Sequence, residues 1–211
     1  MLPAPRVRVH LLDAQTGVSL HYETVDGTIT FKGSSGKEFY ISVEVERKRI
    51  DDQRVFTVVG NLDGNMIGYT FHLEKLEKQV CVFDGFPTKN GCGRSMFKFN
   101  DMMVGSSNAN NDAIGTISID VYERGEIFTG ALSHGEAKSA PREGTEKPHA
   151  KFFENQRLST VGGSVVDNKY AGGLSAAYTC GERLTSVTIR YDDSTHVSLR
   201  ASEQKKRKSR A

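Results

Sequence analysis

The chain has 211 residues, a formal net charge of +2, 26% charged and 37% hydrophobic residues, and 21 glycines but no tryptophan. This length suits one large β domain, and the composition is that of a globular protein with many turns. No apolar run approaches the roughly 20 residues needed to cross a bilayer, so we expect no transmembrane helix and no membrane partner.

Strands are predicted wherever β-branched and aromatic residues alternate with polar ones, because successive side chains of a strand point to opposite faces. Up to residue 101 this pattern predicts strands over residues 6–12, 18–22, 28–31, 39–46, 54–59, 67–73, 79–83 and 95–99. The pair Asp26-Gly27 is a favoured two-residue hairpin turn. The Gly, Asn and Asp residues of 60–65 favour another tight reversal.

The clearest strand of the sequence covers residues 114–123, where Ile117, Ile119 and Val121 alternate with polar residues. We expect these three side chains to be buried. A small polar segment over 105–112 predicts a mobile loop before this strand. After it, strands are predicted near 127–128 and over 158–166, 176–180, 183–191 and 196–201.

About a dozen short strands without a convincing amphipathic helix predict an all-β fold, an antiparallel β-sandwich or jelly-roll-like fold with long loops. We predict one domain over residues 1–201, which includes an irregular excursion over 133–157. A disordered basic tail is predicted over residues 202–211. No repeat of 20 to 50 residues is visible, which argues against a solenoid or propeller.

Several short motifs occur in a recognisable order: Leu62-Asp63-Gly64, the strand with Phe97 and Phe99, the strand of 114–122, and residues 131–135. Over about residues 39–135, roughly half its length, the chain resembles a family of uncharacterised eukaryotic domains. That family is best known from fungi and is catalogued as a domain of unknown function. The resemblance implies a β-sandwich in a nuclear or cytoplasmic eukaryotic protein, and it brings no catalytic residues.

Positive charge is concentrated at the C-terminal end. Residues 203–211 have a net charge of +4, so the remaining 202 residues sum to −2. The cations of this tail are Lys205, Lys206, Arg207, Lys208 and Arg210. Consecutive cations without apolar neighbours do not fold alone, so we expect them to stay exposed. They fit the acidic groove of a nuclear-import receptor or the phosphates of nucleic acid; a tail that only aids solubility is the third alternative.

The sequence shows no pattern typical of catalytic, cofactor or metal sites, and we predict none of these. Cys81, Cys92 and Cys180 lack the close spacing of metal ligands or of a disulfide scaffold, which favours a reducing compartment. The first ten residues contain prolines and arginines where a signal peptide needs an apolar stretch, so we expect no secretion. The sequence contains neither of the glycine-rich nucleotide-binding motifs, G-x-x-x-x-G-K-S/T and G-x-G-x-x-G before a helix. Cys92, between two glycines, is the thiol we expect to be most exposed.

We therefore expect a non-enzymatic nuclear interaction module without cofactors. Loops 84–93, 101–113 and 133–157 would contact a protein partner, and the tail would direct import. The alternative is a self-assembling jelly-roll shell subunit, a homo-oligomer located in the cytoplasm or a virion, whose tail contacts nucleic acid. A ring of sandwiches acting as a histone chaperone ranks lower, because the chain has no acidic tract.

Overall fold

Two β-sheets, in which most neighbouring strands are antiparallel, account for most of the structure, which is a computed structural model. It describes residues 2–49, 51–73, 77–88, 93–101, 113–127, 158–167 and 178–208. These residues form twelve strands: β1 (Arg6–Asp13), β2 (Tyr22–Val25), β3 (Thr28–Gly33), β4 (Glu38–Glu46), β5 (Phe56–Leu62), β6 (Asn65–Leu73), β7 (Lys78–Phe83), β8 (Phe86–Pro87), β9 (Gly93–Asp101), β10 (Thr116–Ile127), β11 (Leu158–Asp167) and β12 (Tyr178–Asp193). One helix, α1 (Ser194–Lys208), follows β12.

The first sheet has the order β1-β4-β9-β11, with β7 added to β4 and β8 added to β9. The second sheet has the order β2-β3-β12-β10-β5-β6. Its one parallel contact among the described strands joins the end of β12 to β3. The other pairs of described strands are antiparallel. The all-β prediction is therefore confirmed.

One apolar core lies between the two sheets and takes side chains from both. In β4 the buried residues are Phe39, Ile41, Val43 and Val45, as the alternation predicts. The Phe39 ring stacks on Phe99 with a centroid distance of 4.2 Å. Burying each such side chain contributes about 1.5–3 kcal/mol to stability. Because the inner faces of both sheets share this core, the arrangement is sandwich-like. Jelly-roll connectivity stays a prediction.

The strand predicted over residues 114–123 corresponds to β10, an inner strand of the second sheet that pairs with β12 and β5. Ile117, Ile119 and Val121 are fully buried, which confirms the predicted face. The strand begins later than predicted, because Gly115 has a φ of 72° and belongs to the preceding turn.

Both predicted reversals are two-residue turns with an aspartate before a glycine. Asp26 and Gly27, with φ of 50° and 78°, join β2 to β3. Asp63 and Gly64, with φ of 53° and 76°, join β5 to β6. Positive φ at both positions matches the right-handed twist of the flanking strands. The second reversal is shorter than the predicted segment 60–65.

The Asp63 side chain is buried and points inward from its turn. Its carboxylate accepts the N–H of Gly115 at 2.7 Å and the N–H of Thr160 at 2.8 Å. The Tyr191 hydroxyl lies 2.7 and 2.6 Å from the two carboxylate oxygens, and it accepts the Thr160 hydroxyl at 2.7 Å. The turn is thereby linked to β11 and β12.

Part of the predicted loop 84–93 belongs to the first sheet instead. Phe86 and Pro87 form β8, which pairs with β9. The chain reaches β8 through Gly85, whose φ is 153° and where a Cβ atom would lie 2.3 Å from the Ser95 carbonyl oxygen. Only glycine fits so close an approach.

The predictions for the C-terminal region are partly wrong. The two strands predicted over 176–180 and 183–191 form one strand, β12. The strand predicted over 196–201 is helical, and residues 202–208 of the tail predicted to be disordered continue the same helix. No glycine or proline interrupts residues 194–208, and buried Val197 and Ala201 have the spacing of one helix face. Residues 209–211, with Arg210, lie outside the described residues, as do the predicted loops 105–112 and 133–157.

Replacing Tyr191 with Phe should lower the free energy of unfolding by about 2–3 kcal/mol, measured by chemical denaturation. The change removes a hydrogen bond to a buried carboxylate and leaves the Thr160 hydroxyl without this acceptor. The ring, which packs 5.3 Å from Phe99, is kept. The matched control is Tyr22→Phe, because the Tyr22 side chain is 55% exposed and should change stability by less than about 0.5 kcal/mol. Equal stability of the two variants would contradict the structural role of the hydroxyl.

Candidate functional site

The cations that the sequence singles out lie at the end of α1. Lys205, Lys206 and Arg207 occupy exposed positions of this helix, and Lys208 is its last residue. The structure therefore brings part of the predicted basic segment together on one element. It also places that element against the second sheet.

The start of α1 is fixed by two aspartates at the end of β12. The Asp193 carboxylate accepts the N–H groups of Thr195 at 3.0 Å and His196 at 3.3 Å, as an N-cap residue does. The Asp192 carboxylate lies 2.5 Å from His196 Nδ1 and accepts the N–H of Leu158 at 3.3 Å. Acids at this end also suit the positive end of the helix dipole.

An apolar stripe seats α1 on the outer face of the second sheet. Val197 and Ala201 are buried and form a small cluster with Val25 of β2, separate from the main core. The helix contacts β2, β3 and the end of β12. Because Val197 and Ala201 are four residues apart, they lie on the same side of the helix. Leu199, between them, points elsewhere and is 53% exposed.

Acidic residues of the β2–β3 hairpin face the basic helix. Asp26 accepts from Arg200 Nη2 at 2.7 Å and from Gln204 Nε2 at 3.2 Å. The Glu23 carboxylate lies 3.0 Å from Lys32 Nζ and 3.6 Å from Lys205 Nζ. Lys32, and to a smaller degree Lys205, hold the pKa of Glu23 below its ordinary value. The hairpin is thus electrostatically complementary to α1.

Packing beneath the helix is incomplete. A cavity of about 40 Å³ lies there, and polar side chains line much of it, among them Thr30, Arg190, Asp192 and Arg200. This volume has room for one or a few water-sized molecules. An exposed pair such as Arg200–Asp26 contributes about 1 kcal/mol or less. The apolar contact of Val197 therefore carries much of the docking.

A second cationic cluster surrounds Phe56 and was not expected from the sequence. The guanidinium carbon of Arg47 lies 4.2 Å from the centre of the Phe56 ring. Arg54 donates to both oxygens of Asp52, at 2.9 and 2.7 Å, and this lowers the pKa of the buried Asp52 carboxyl. Arg54 also donates to the Pro3 carbonyl at 2.7 Å, so the cluster clamps the N-terminal segment.

The thiols lie in different environments. Cys81 is buried in β7, its Sγ lies 3.7 Å from the Val43 carbonyl oxygen, and burial raises its pKa to about 12. It is therefore a poor nucleophile at neutral pH. Cys180 is exposed on β12. Cys92, the thiol expected to be most exposed, lies outside the described residues.

Histidine and carboxylate side chains form no group of three or more metal-ligand type in the part of the chain that the structure describes. His72 Nδ1 lies 3.0 Å from the Thr57 hydroxyl. Burial, and then the charge of Arg124, lower the pKa of His72, which favours its neutral form. No helix in the described ranges is long and apolar enough to span a membrane.

Two surface depressions are further candidate sites. A groove of about 500 Å³ is lined by Leu20 and Phe99 together with Lys32 and Lys37. A notch of about 270 Å³ lies on the outer face of the first sheet, near the point where β4 and β9 diverge. Its lining residues are Tyr40, Val82, Asp84, Arg94 and Met96. Asp84, the first residue of the predicted interaction loop 84–93, forms an ion pair there with Arg94.

Comparison of the chain with protein-family models, with curated proteins and with solved structures finds no match. The resemblance to the fungal domain family therefore stays an expectation from short motifs.

Replacing Asp193 with Ala should destabilise α1 by about 1 kcal/mol, because two N–H groups of the first turn lose their acceptor. Hydrogen exchange should become faster in the amides of residues 195–201. Ser202→Ala is the control, since Ser202 is exposed on the same helix and caps nothing at its N-terminus. Unchanged protection in Asp193→Ala would show that another contact fixes the start of the helix.

Proposed function

We propose that the chain is a non-enzymatic nuclear interaction module, a jelly-roll-like β-sandwich whose basic C-terminal segment directs import. The observation that carries this proposal is the run of exposed cations at Lys205, Lys206 and Arg207 beside a body that is close to neutral. Exposed cations of this kind attract an acidic receptor groove. A nucleic-acid-binding domain would instead carry its basic face on the folded body.

The surface proposed for a protein partner is the notch on the first sheet with the loops beside it. Val82, which lines this notch, is 37% exposed, and Val80, on the same face of β7, is 57% exposed. The Asp84–Arg94 pair supplies directional polar groups to the notch. Apolar anchors surrounded by polar groups are typical of binding surfaces. The loops 84–93, 101–113 and 133–157 are the further elements that we propose for partner contact.

The alternative function is that of a self-assembling shell subunit whose basic segment contacts nucleic acid. Two features favour it: the sandwich-like pair of sheets, and the placement of the exposed cations on one element. A shell needs many copies of the chain, whereas an interaction module needs few.

Removing two cations of the signal should abolish nuclear accumulation of the chain fused to a reporter too large to diffuse through nuclear pores. The test variant is Lys206→Ala with Arg207→Ala. The matched control is Lys48→Ala with Arg49→Ala, which removes two exposed cations from the body. We expect the test variant to distribute like the reporter alone and the control to accumulate like the parent. Equal nuclear accumulation of the parent, the test variant and the control variant would contradict the import role.

The purified chain should behave as a monomer or small oligomer in size-exclusion chromatography with light scattering, both alone and with a nucleic-acid duplex. We expect this because an interaction module needs no repeated contacts between copies of the chain. A particle of tens of subunits, formed in either condition, would instead establish the shell reading.

A further inference from the structure

The cations of the proposed import signal are held in a helix and not in an extended strand. Successive positions of a helix are about 100° apart, so Lys205, Lys206 and Arg207 point to three different sides of α1. A groove that encloses a peptide between two walls contacts both rows of side chains of an extended chain. The same groove meets only one side of a helix, whose diameter is about 10–12 Å.

The hairpin already occupies part of this signal. Lys205 Nζ lies 3.6 Å from the Glu23 carboxylate, and Gln204 and Arg200, one and five residues earlier in α1, are both bonded to Asp26. The acids of β2–β3 are therefore counter-ions in the same chain, and they compete with an acidic receptor for the same segment.

The docking contacts are suited to release. Lys205 is 80% exposed and Asp26 is 68% exposed, so water and salt weaken their ion pairs. The buried apolar cluster with β2 consists of Val197, Ala201 and Val25, above a partly polar cavity. The buried contact of His196 with Asp192 lies in the first turn of α1, ahead of the basic residues. A helix of 15 residues is marginal in water on its own, so a segment that leaves its seat loses most of its helical structure.

We propose that the β2–β3 hairpin and α1 form a latch that withholds the import signal: the docked helix is the closed state, and a receptor's acidic groove binds residues 205–208 of the released, extended segment. This inference rests on the proposed function and adds its regulation. The apparent affinity of the chain for such a receptor is reduced by the fraction of molecules that are released.

The test compares the whole chain with a synthetic peptide of residues 194–211, each titrated with a purified import receptor of the class that binds basic peptides. Two variants weaken the latch without changing the peptide sequence. Asp26→Asn removes the charge and keeps a residue that suits the type I′ turn. Val25→Thr keeps a β-branched residue of similar size and weakens the apolar contact. Asp51→Asn is the control, because Asp51 forms an exposed ion pair with Arg49 and belongs to neither the β2–β3 hairpin nor α1.

If about one molecule in ten is released, the peptide should bind about tenfold more tightly than the parent chain. Asp26→Asn and Val25→Thr should recover most of this difference and speed hydrogen exchange in residues 202–208, whereas Asp51→Asn should match the parent. Asp26→Asn alone is sufficient for the test if Val25→Thr fails to fold.

Equal binding by peptide, parent and both variants would overturn the latch and leave the import function standing. A peptide that fails to bind the receptor would overturn the import function. In that case the exchange of residues 202–208 still tests the latch, because unchanged exchange in Asp26→Asn and Val25→Thr would overturn it as well. A parent chain that binds a duplex of about 20 base pairs but not the receptor would replace this proposal by direct nucleic-acid contact.

Discussion

The buried carboxylate of Asp63 is the interaction on which the alignment of the two sheets depends. It lies on a turn of the second sheet, yet it accepts the backbone N–H of Thr160 in the first sheet and the hydroxyl of Tyr191 in β12. A buried carboxylate without donors would be strongly destabilising, so the sheets must lie where these two donors and the N–H of Gly115, just before β10, all reach it. Apolar packing is not directional, whereas these hydrogen bonds have preferred distances and angles and therefore favour one relative position of the two sheets.

The same network also determines where α1 begins. Tyr191 points inward to Asp63, so strand alternation turns Asp192 to the opposite face of β12, where it meets His196. The Asp192 carboxylate also accepts the N–H of Leu158 at the start of β11. The next residue, Asp193, then stands at the N-cap position of the helix. Three consecutive residues thus connect the inner alignment of the sheets to the placement of the basic segment on the outer face.

Local patterns predicted the strands but not the contacts between distant residues. The alternation of Ile117, Ile119 and Val121 was sufficient to predict β10, and Asp26-Gly27 was sufficient to predict the β2–β3 turn. Both signals lie within a few residues of the sequence. Around Val197 the pattern was ambiguous, since apolar positions 197, 199 and 201 fit a strand while 197 and 201 alone fit a helix. The helix is favoured by the N-cap at Asp193 and by the packing of Val197 and Ala201 against Val25. Val25 is far from both residues in the sequence. For the same reason Tyr191, 128 residues from Asp63, was not recognised as its partner.

The structure places strong and weak contacts in separate layers. Tyr191 is fully buried, and β12 is also paired with β10 over most of its length, so the strand stays fixed whether or not α1 is docked. Beyond Asp193, the contact of His196 with Asp192 is buried but belongs to the first turn of α1. The contacts further along the helix are a small apolar cluster and exposed ion pairs, which are worth far less than the core. Local opening follows the least stable contacts, so α1 can leave the second sheet without unfolding it. In the release that we propose, residues 194–208 would therefore change conformation while the sheets would not, and these residues include cations expected to bind a partner.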